Sequence, residues 1–360
     1  MEKNIIEKEI SQKVIMTGVK YKDDHPGGIS SVVRYWSNYI EDLQYYAEFK
    51  EGSALAKITI FIWALIRVFF KLLFDWKIRI VHVHTAEETD FKRNSIIIKI
   101  AKMFGKKVIL HSHGATFVEC YEKRDDQGKV WVKSVLNKTD LIIVLSQSWK
   151  DWFMSIGIPE SKLIILHNIT AYPKEVLVQK DENKVRIIFL GEIGPRKGVF
   201  DVLGAIAEHK DILKDEIELH IGGNKMEDEL MNFIEKNDLG GFVYFDGFVC
   251  GGKKIELLNW ANVFILPSFN EGLPISILEA MAYRMPIISS PVGGIPEVVD
   301  ETNGILVTPG NKDEIFNAIN FYVKKREMIA KHGEESYKKA KTYLPDYVLN
   351  HLKNIYQQFL

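Results

Sequence analysis

Short apolar runs recur along the chain, and most of them end in a small or polar residue. Such runs occupy residues 13–18, 78–85 and 107–114 in the first half, and 185–191 and 217–224 in the second. The segments between the runs are long enough for helices, so the alternation predicts strand–helix units with buried parallel strands. Because α/β proteins bind ligands at the carboxyl ends of such strands, the residues after each run are the candidates for a functional site.

The stretch at residues 263–282 shows this arrangement most clearly. Its apolar start, residues 263–267, predicts a buried strand, and the residues from Pro274 onward predict a helix. Pro274 suits the first helical position, where a missing N–H costs nothing, and Pro286 is expected to stop the helix. The backbone N–H groups around Gly272 and Leu273 then point above the sheet, where the helix dipole favours a phosphate.

Two carboxylates accompany this predicted phosphate site. Glu271 lies in the loop and Glu279 in the helix, with seven residues between them. Carboxylates accept hydrogen bonds from sugar hydroxyls. The stretch therefore combines donors for an anion with acceptors for hydroxyls, which suits a nucleotide sugar. A surface helix with two solvated carboxylates is the alternative interpretation.

A glycine-rich turn with two adjacent cations follows the run at 185–191. Arg196 and Lys197 stand directly before Gly198, which opens a predicted helix. A diphosphate needs positive charge at a strand end, where Arg binds bidentately and Lys acts as a point charge. A solvated turn is the alternative. The chain contains no Asp-x-Asp triplet, so we expect no metal ion in the chemistry.

Residues 54–74 are strongly apolar, and Lys57, Arg67 and Lys71 are their only charges. Lys57 and Arg67 would lie about 15 Å apart along a helix, half of the ~30 Å hydrocarbon core, which argues against a membrane-spanning segment. The three cations fall within an arc of about 80°, and a basic stripe on an apolar helix predicts peripheral membrane contact. Packing of a broad apolar face on the sheet is the alternative.

Histidines cluster at two predicted strand ends of the first half. His82 and His84 share one strand face, and this spacing can bind metal, but no third ligand is evident and a structural role is favoured. His111 and His113 end the next run, and a lone histidine in such a place is usually structural.

A glycine pair, Gly27 and Gly28, follows the first predicted strand. Two glycines let a backbone approach a ligand closely, although a plain turn is the default interpretation. Ser30 or Ser31 is expected to cap a helix that continues to Leu43.

The composition sets limits on location and partners. The 360 residues suffice for two domains, and a net charge of −1 gives no indication of nucleic-acid binding. The two cysteines, Cys120 and Cys250, form no CxxC pair, which favours reduced thiols. Four of the first eight residues are charged, and this segment lacks the apolar core of a signal peptide. We therefore expect a cytoplasmic protein.

One pattern in the second half is specific: Pro267-Ser268-x-x-Glu271-Gly272-x-Pro274-x-x-x-x-Glu279-Ala280-x-Ala282. It resembles the retaining GT-B glycosyltransferases of family GT4, and the resemblance extends over almost the whole chain, more loosely in the first half. It implies that Glu271 contacts the donor sugar and that Glu279 contacts the ribose. Gly272, Leu273 and Pro274 complete the expected donor contacts of this stretch.

The resemblance implies further site residues. Arg196 and Lys197 match the diphosphate ligands, and His113, followed by glycine, matches a histidine near the donor sugar. Gly28 matches a glycine loop that faces donor and acceptor. The remaining expected donor contacts are Gly223 and, beside the nucleobase, Phe248.

Two positions depart from the family pattern. Glu192 stands where relatives often carry Arg, so one expected cation is missing. Relatives also often carry an acidic residue at the glycine pair of residues 222–223, and this chain does not, which makes a contact there less certain.

These observations predict an α/β protein of the GT-B type, with two Rossmann-like doubly wound domains facing a central cleft. Residues 1–170 are expected to form the acceptor-side domain and residues 184–335 the nucleotide-sugar domain, joined by a linker at 171–183. Residues 336–360 are expected to form a terminal helix that crosses back to the first domain.

The predicted reaction moves a sugar from a nucleotide-diphosphate sugar to a hydroxyl of a glycan or lipid-linked acceptor in bacterial polysaccharide biosynthesis, with retention. His113 and Glu271 are expected to orient the donor sugar. A lipid-linked acceptor would place the protein at the cytoplasmic face of the inner membrane, held there by residues 54–74. The alternatives are a soluble transferase with a small acceptor, and a catalytically silent subunit that binds nucleotide sugars.

Overall fold

The computed structural model describes residues 4–21, 28–50, 52–86, 88–114, 117–177 and 183–360. The chain divides into two compact units: a first unit of Met1–Ile169 with Leu344–Leu360, and a second unit of Thr170–Tyr343. Of the predicted linker at 171–183, residues 178–182 lie outside the described part of the chain.

The predicted terminal segment, residues 336–360, is divided between the two units. Residues 336–343 belong to the second unit, where Ser336 and Lys339 both hydrogen-bond with Asn303. Only the helix from Pro345 onward belongs to the first unit, so the predicted start of this segment at residue 336 is wrong.

The first unit is built on a sheet of six parallel strands: β1 (Val14–Val19), β2 (Tyr45–Phe49), β3 (Ile80–Thr85), β4 (Lys107–Ser112), β5 (Leu141–Val144) and β6 (Leu163–Ile165). They lie in the order β2-β1-β3-β4-β5-β6. Every residue of β3 and β5 is buried, as is typical of a parallel sheet that is covered on both faces.

The second unit holds another six parallel strands: β7 (Val185–Leu190), β8 (Ile217–Gly222), β9 (Val243–Phe245), β10 (Val263–Leu266), β11 (Ile287–Ser289) and β12 (Gly304–Leu306). Their order is β12-β11-β10-β7-β8-β9. In both sheets the chain builds outward in one direction and then returns to build in the other, which is the doubly wound topology. The prediction of two Rossmann-like α/β domains is confirmed.

Helices connect these strands. In the first unit they are α1 (Lys8–Ser11), α2 (Gly28–Ser37), α3 (Ala54–Phe74), α4 (Glu88–Met103), α5 (Phe117–Glu122), α6 (Asp126–Leu136), α7 (Gln147–Ser155) and, after the second unit, α15 (Pro345–Gln357). In the second unit they are α8 (Val199–Glu208), α9 (Lys210–Leu213), α10 (Glu227–Lys236), α11 (Gly251–Trp260), α12 (Ile275–Ala282), α13 (Lys312–Lys324) and α14 (Glu327–Ala340).

Two predicted helix ends are wrong. Helix α2 ends at Ser37 rather than Leu43, because Ile40 leaves the helix and pairs with Ile6 in a parallel bridge. Ser30 and Ser31 lie inside its first turn and are not its N-cap. Helix α12 begins at Ile275, so that Pro274 is the N-cap residue and its carbonyl accepts from Leu278 N at 3.4 Å.

Glu48 on the edge strand β2 is a buried acid, with 1% of its surface exposed. Burial raises the pKa of its carboxyl group to about 8, Arg93 opposes this shift, and Asp90 adds to it. A carboxyl whose pKa is higher in the folded chain binds more protons in the folded state between pH 4.5 and 8. Its contribution to stability is therefore complete below pH 4.5 and is lost as the pH rises through 8.

Replacing Glu48 with glutamine is expected to flatten this pH dependence, because the amide keeps the shape of the neutral acid and does not titrate. Between pH 5 and 8 the unfolding free energy of the wild type should fall relative to that of Glu48→Gln, by at most about 1.4 kcal/mol per pH unit. Urea unfolding of both proteins at four pH values measures the difference. Parallel pH profiles would contradict the buried neutral acid.

Candidate active site

In the second sheet, the direction in which successive strands are added reverses between β9 and β10. Strands β7 and β10 are neighbours, and the chain builds away from them on both sides. Ligands of doubly wound proteins bind at this switch point, outside the carboxyl ends of the strands. The loops that leave β7 and β10 carry the predicted cations and carboxylates, and Phe269 N donates to Arg196 O at 2.9 Å to join these loops.

Lys197 and Glu271 form an ion pair between the two loops. The same carboxylate oxygen, Oε1 of Glu271, accepts from Ser268 Oγ at 2.8 Å. Only 14% of the Lys197 side chain and 7% of the Glu271 side chain are exposed, so solvent screens this pair weakly. The structure thus brings together two of the predicted site residues and adds Ser268, which sequence reasoning had treated only as part of the motif.

Two glycines explain how the loops pack so closely. Gly198 has φ +74°, and a Cβ there would lie 2.3 Å from Pro267 O. Gly293 has φ +56°, and a Cβ there would lie 1.8 Å from Glu271 O. A larger residue at either position would displace the loop that carries Glu271, so both glycines are required for the geometry of the carboxylate.

Arg196 lies at the other side of the same loop. Its guanidinium donates to Asn270 O at 3.2 Å and lies 3.7 Å from Glu192. Glu192, which replaces an expected cation, also pairs with Lys225 at 2.8 Å. Lys225 follows the glycine pair at the end of β8. Tertiary packing therefore places the positive charge of Lys225 beside Glu192, where the local sequence carries a glutamate instead of the expected cation.

Glu279 is held from a different helix. Its side chain is 4% exposed, and its Oε1 lies 2.6 Å from Lys254 Nζ on α11. Sequence reasoning did not identify Lys254, because 25 residues separate it from Glu279 and no local pattern links them. Both predicted carboxylates are therefore buried and each is paired with a lysine.

Three further predicted site residues, Gly223, Phe248 and Leu273, lie at or after strand ends of the second unit. Gly223 N donates to Gly247 O at 2.9 Å, and a Cβ on Gly223 would lie 2.0 Å from Gly191 O, so Gly223 is required for close packing of β7, β8 and β9. Phe248 follows at the end of β9 and is 44% exposed. Leu273 is buried directly before α12, whose first N–H groups have no acceptor within the helix.

His113 and Gly28 belong to the first unit. His113 follows β4, and its Nε2 lies 2.9 Å from Nδ1 of His84. Burial lowers the pKa of His113 to about 3, although a hydrogen bond with Asn168 opposes the shift, so the imidazole is neutral at neutral pH. A Cβ on Gly114 would lie 1.3 Å from Ala86 O, which explains the glycine after this histidine.

Gly28 is the first residue of α2, it is exposed, and a Cβ there would meet no atom of the described residues within 4 Å. Gly27, the other member of the predicted pair, lies outside the described residues.

A third histidine lies beside His82 and His84. His111 on β4 is directly opposite His84 on β3, and one ring nitrogen from each of the three lies within 4.8 Å of those from the other two. The strand pattern indicated no third ligand because it contains no information about which strand pairs with β3.

Helix α3 has the predicted bounds, and Ala64, Val68 and Leu72 are its buried residues. Nine large apolar side chains on the helix are between 38% and 74% exposed: Leu55, Ile58, Ile62, Trp63, Ile66, Phe69, Phe70, Leu73 and Phe74. We call these nine side chains the α3 apolar face. Among the described residues, no helix meets the length and hydropathy expected of a segment that crosses a membrane.

Two of the three cations of α3 lie beside β2, and the third pairs with the residue after the helix. Lys57 and Arg67 sit over the rings of Phe49 and Tyr46, at 5.2 and 4.8 Å from the ring centroids, and Lys71 pairs with Asp75 at 2.7 Å. At about 100° per residue the α3 apolar face occupies an arc of about 160°, and the cations border it on one flank. The apolar face is thus broader than the contact of α3 with the sheet.

Two doubly wound units of this topology define the class of GT-B proteins. Family comparisons then specify the family: residues 174–339 match the model for glycosyl transferases group 1, and residues 29–170 match that for glycosyltransferase family 4. The chain belongs to the GT4-type glycosyltransferases and is a transferase enzyme. The predicted family and GT-B fold are confirmed.

Individual relatives agree with this assignment. The chain is similar to an uncharacterised glycosyltransferase of Methanocaldococcus jannaschii, with 27% identity over 75% of this chain and 72% of that protein. It is also 27% identical to the amylovoran biosynthesis glycosyltransferase AmsK of Erwinia amylovora, over 58% of this chain and 52% of that protein. In fold it resembles HepE of Anabaena, solved with UDP and glucose, with a TM-score of 0.73, 16% identity, and 97% and 100% of the two chains covered.

Proposed function

We propose that this glycosyltransferase moves a sugar from a nucleotide-diphosphate sugar to a hydroxyl of a glycan or lipid-linked acceptor in bacterial polysaccharide biosynthesis, with retention of anomeric configuration. The observation that carries the proposal is the buried group of Lys197, Glu271 and Ser268 at the switch point of the second unit. The UDP and glucose bound by HepE and the amylovoran role of AmsK support the donor class and the pathway class.

The proposed roles follow from charge and position. Lys197 and Arg196 neutralise the diphosphate as it leaves, together with the N–H groups at the start of α12. Glu279 accepts from the ribose hydroxyls, and Lys254 holds that carboxylate in place. Glu271 and neutral His113 orient the donor sugar.

Positive side chains and a helix N-terminus supply the charge that a divalent cation supplies in other transferases. The proposal therefore includes activity without a metal ion. No nucleophile is assigned to the chain.

The donor is tested with UDP-, GDP-, ADP- and dTDP-sugars in the presence of EDTA. We expect one nucleotide class to raise the melting temperature by a few degrees, because a ligand at 100 times its Kd stabilises the folded state by about 2.7 kcal/mol. The same class should release nucleotide diphosphate on addition of a glycan or lipid extract from a bacterial envelope. NMR of the product reports the anomeric configuration.

Each outcome of this panel has a distinct meaning. Binding without turnover would favour a silent nucleotide-sugar-binding subunit, and an inverted product would contradict retention. No shift with any nucleotide sugar would contradict the donor site itself. A shift that appears only when the EDTA is replaced by a divalent cation would contradict the metal-free mechanism.

We further propose that the α3 apolar face lies on an anionic lipid surface at the cytoplasmic side of the membrane. Soluble monomers rarely expose apolar patches above a few hundred Å², and this face spans most of a 21-residue helix that contains no acidic residue. A helix of this kind lies in the interface plane, with aromatic residues in the acyl boundary and cations at headgroup level. This position would give the enzyme access to a lipid-linked acceptor.

A further inference from the structure

Three histidines of the first unit form a compact group on one face of its sheet. His84 and His111 are paired across β3 and β4, and His82 precedes His84 by two residues on the same face. One ring nitrogen of each lies within 4.8 Å of those of the others. All three residues are at most 1% exposed, so water does not reach these rings freely.

The ring nitrogens of this group have two kinds of environment. Nδ1 of His82 lies 2.7 Å from the Tyr356 hydroxyl, and Nδ1 of His84 lies 2.9 Å from Nε2 of His113. In contrast, Nε2 of His82, Nε2 of His84 and both nitrogens of His111 have no hydrogen-bond partner among the described residues. Buried polar atoms nearly always have a partner, so these four adjacent nitrogens are available to a ligand that is not part of the chain.

We propose that His82, His84 and His111 bind a divalent metal ion of the zinc class. Imidazole nitrogen is a preferred ligand for Zn²⁺ and its first-row neighbours, and a site with three histidines keeps a fourth position for water or hydroxide. Histidines that bind metal use the outer ring nitrogen for a hydrogen bond that fixes the ring. His82 and His84 already have such partners in Tyr356 and His113.

The geometry requires only small adjustments. Zinc bound at about 2.0–2.1 Å from each nitrogen places tetrahedral ligands about 3.4 Å apart. His111 can rotate toward the other two rings, since the terminal torsion of histidine is broad and its ring has no hydrogen bond to break among the described residues. His82 and His84 need only tilt about their hydrogen bonds with Tyr356 and His113. Trp36 lies 5.4 to 5.7 Å from all three rings, and its buried indole N–H has no hydrogen-bond partner among the described residues.

The histidines are also in the protonation state that a metal needs. Burial lowers the pKa of all three imidazoles, that of His82 to about 3, so their lone pairs are available at neutral pH. A metal on Nε2 of His84 keeps the proton on its Nδ1, which then donates to Nε2 of His113. The ion would thus set the tautomer of His113, although the metal site itself does not depend on the proposed role of that residue.

The test uses the full chain with a purification tag that contains no histidine. After EDTA treatment and dialysis, the protein is titrated with Zn²⁺ against a chelating dye, and bound metal is counted by mass spectrometry. We expect one zinc ion per chain for the wild type and none for His84→Asn combined with His111→Asn. Tyr356→Phe removes the outer partner of His82 and should weaken binding by about 10- to 100-fold.

The control is His220→Asn in the second unit. His220 lies 2.6 Å from Asp246 and 3.3 Å from Glu218, and its loss should leave the zinc stoichiometry unchanged. A wild type that binds no zinc, or zinc that remains in the double variant, would overturn the proposal. Loss of the zinc in His220→Asn would assign the metal to that other site instead.

Binding of Co²⁺ to the wild-type protein tests the proposed site even if the double variant does not fold. Wild-type protein loaded with Co²⁺ should show the intense visible absorption of a four-coordinate ion with nitrogen ligands. The weak spectrum of hydrated, six-coordinate cobalt at saturating concentration would contradict the site without any variant.

Discussion

Replacing Lys197 with alanine is expected to lower kcat by about 100- to 1,000-fold, the usual effect of removing one group that stabilises charge in the transition state. The leaving diphosphate gains charge as the glycosidic bond breaks, and Lys197 is the more buried of the two cations at the switch point. Steady-state release of nucleotide diphosphate measures the effect. Lys210→Ala, which removes a surface pair with exposed Asp238, is the matched control and should retain full activity.

The same substitution is expected to destabilise the second unit, and this effect must be separated from catalysis. Alanine at 197 leaves the buried Glu271 carboxylate with Ser268 but without its cation, and such a loss costs about 3–5 kcal/mol. Adding Glu271→Gln removes the unpaired charge. We therefore expect the double variant to recover most of the melting temperature and none of the activity. Recovery of both would contradict the proposed roles of Lys197 and of Glu271 in the reaction.

Replacing Trp63 and Phe70 with glutamate is expected to abolish binding to anionic liposomes. Both residues lie on the α3 apolar face and are 60% and 51% exposed. Burial of one such side chain contributes about 1.5–3 kcal/mol, so the loss of two weakens binding by at least about 100-fold. Co-sedimentation with vesicles of phosphatidylglycerol and phosphatidylethanolamine measures the bound fraction.

A matched control shows whether exposure alone explains the binding. Leu177→Glu replaces a fully exposed leucine in the second unit and should leave binding unchanged. If the wild-type protein does not bind vesicles and instead dimerises as its concentration rises, a second copy of the chain covers the α3 apolar face. Because Lys57 and Arg67 already contact aromatic rings, added salt should weaken vesicle binding only modestly.

The parts of the fold that could be predicted from sequence are those that local chemistry determines. The buried strand β10 is a continuous apolar run, and α3 has sharp limits because Ser53 caps it, accepting from Ala56 N at 3.3 Å. Strand β2 was not predicted, because its five residues mix aromatic and charged side chains at a sheet edge. Helix α2 was predicted too long, since the bridge between Ile6 and Ile40 is a contact distant in sequence.

The residues of the candidate site also divide into those that local sequence predicts and those that depend on tertiary packing. The residues around Glu271 were predictable because one continuous loop and the following helix carry them. Lys254 and Lys225 were not, because each reaches its carboxylate only through packing between separate elements. The basic stripe on α3 was correctly located along the helix, but its orientation toward the rings of β2 depends on a strand that the pattern did not show.

The first unit is built from two stretches of the chain, one before the second unit and one after it, and this has a consequence for biosynthesis. Helix α15 contributes buried Leu349, Leu352 and Tyr356, and the Tyr356 hydroxyl bonds to His82 in the centre of the first sheet. Residues 170–343 must be translated before this helix exists, which takes about 10 to 35 s at 5–20 residues per second. During that interval the second unit is still being translated, and the nascent first unit lacks the part of its core that α15 supplies. A chaperone that binds exposed apolar surface would therefore bind mainly to the first half of the nascent chain.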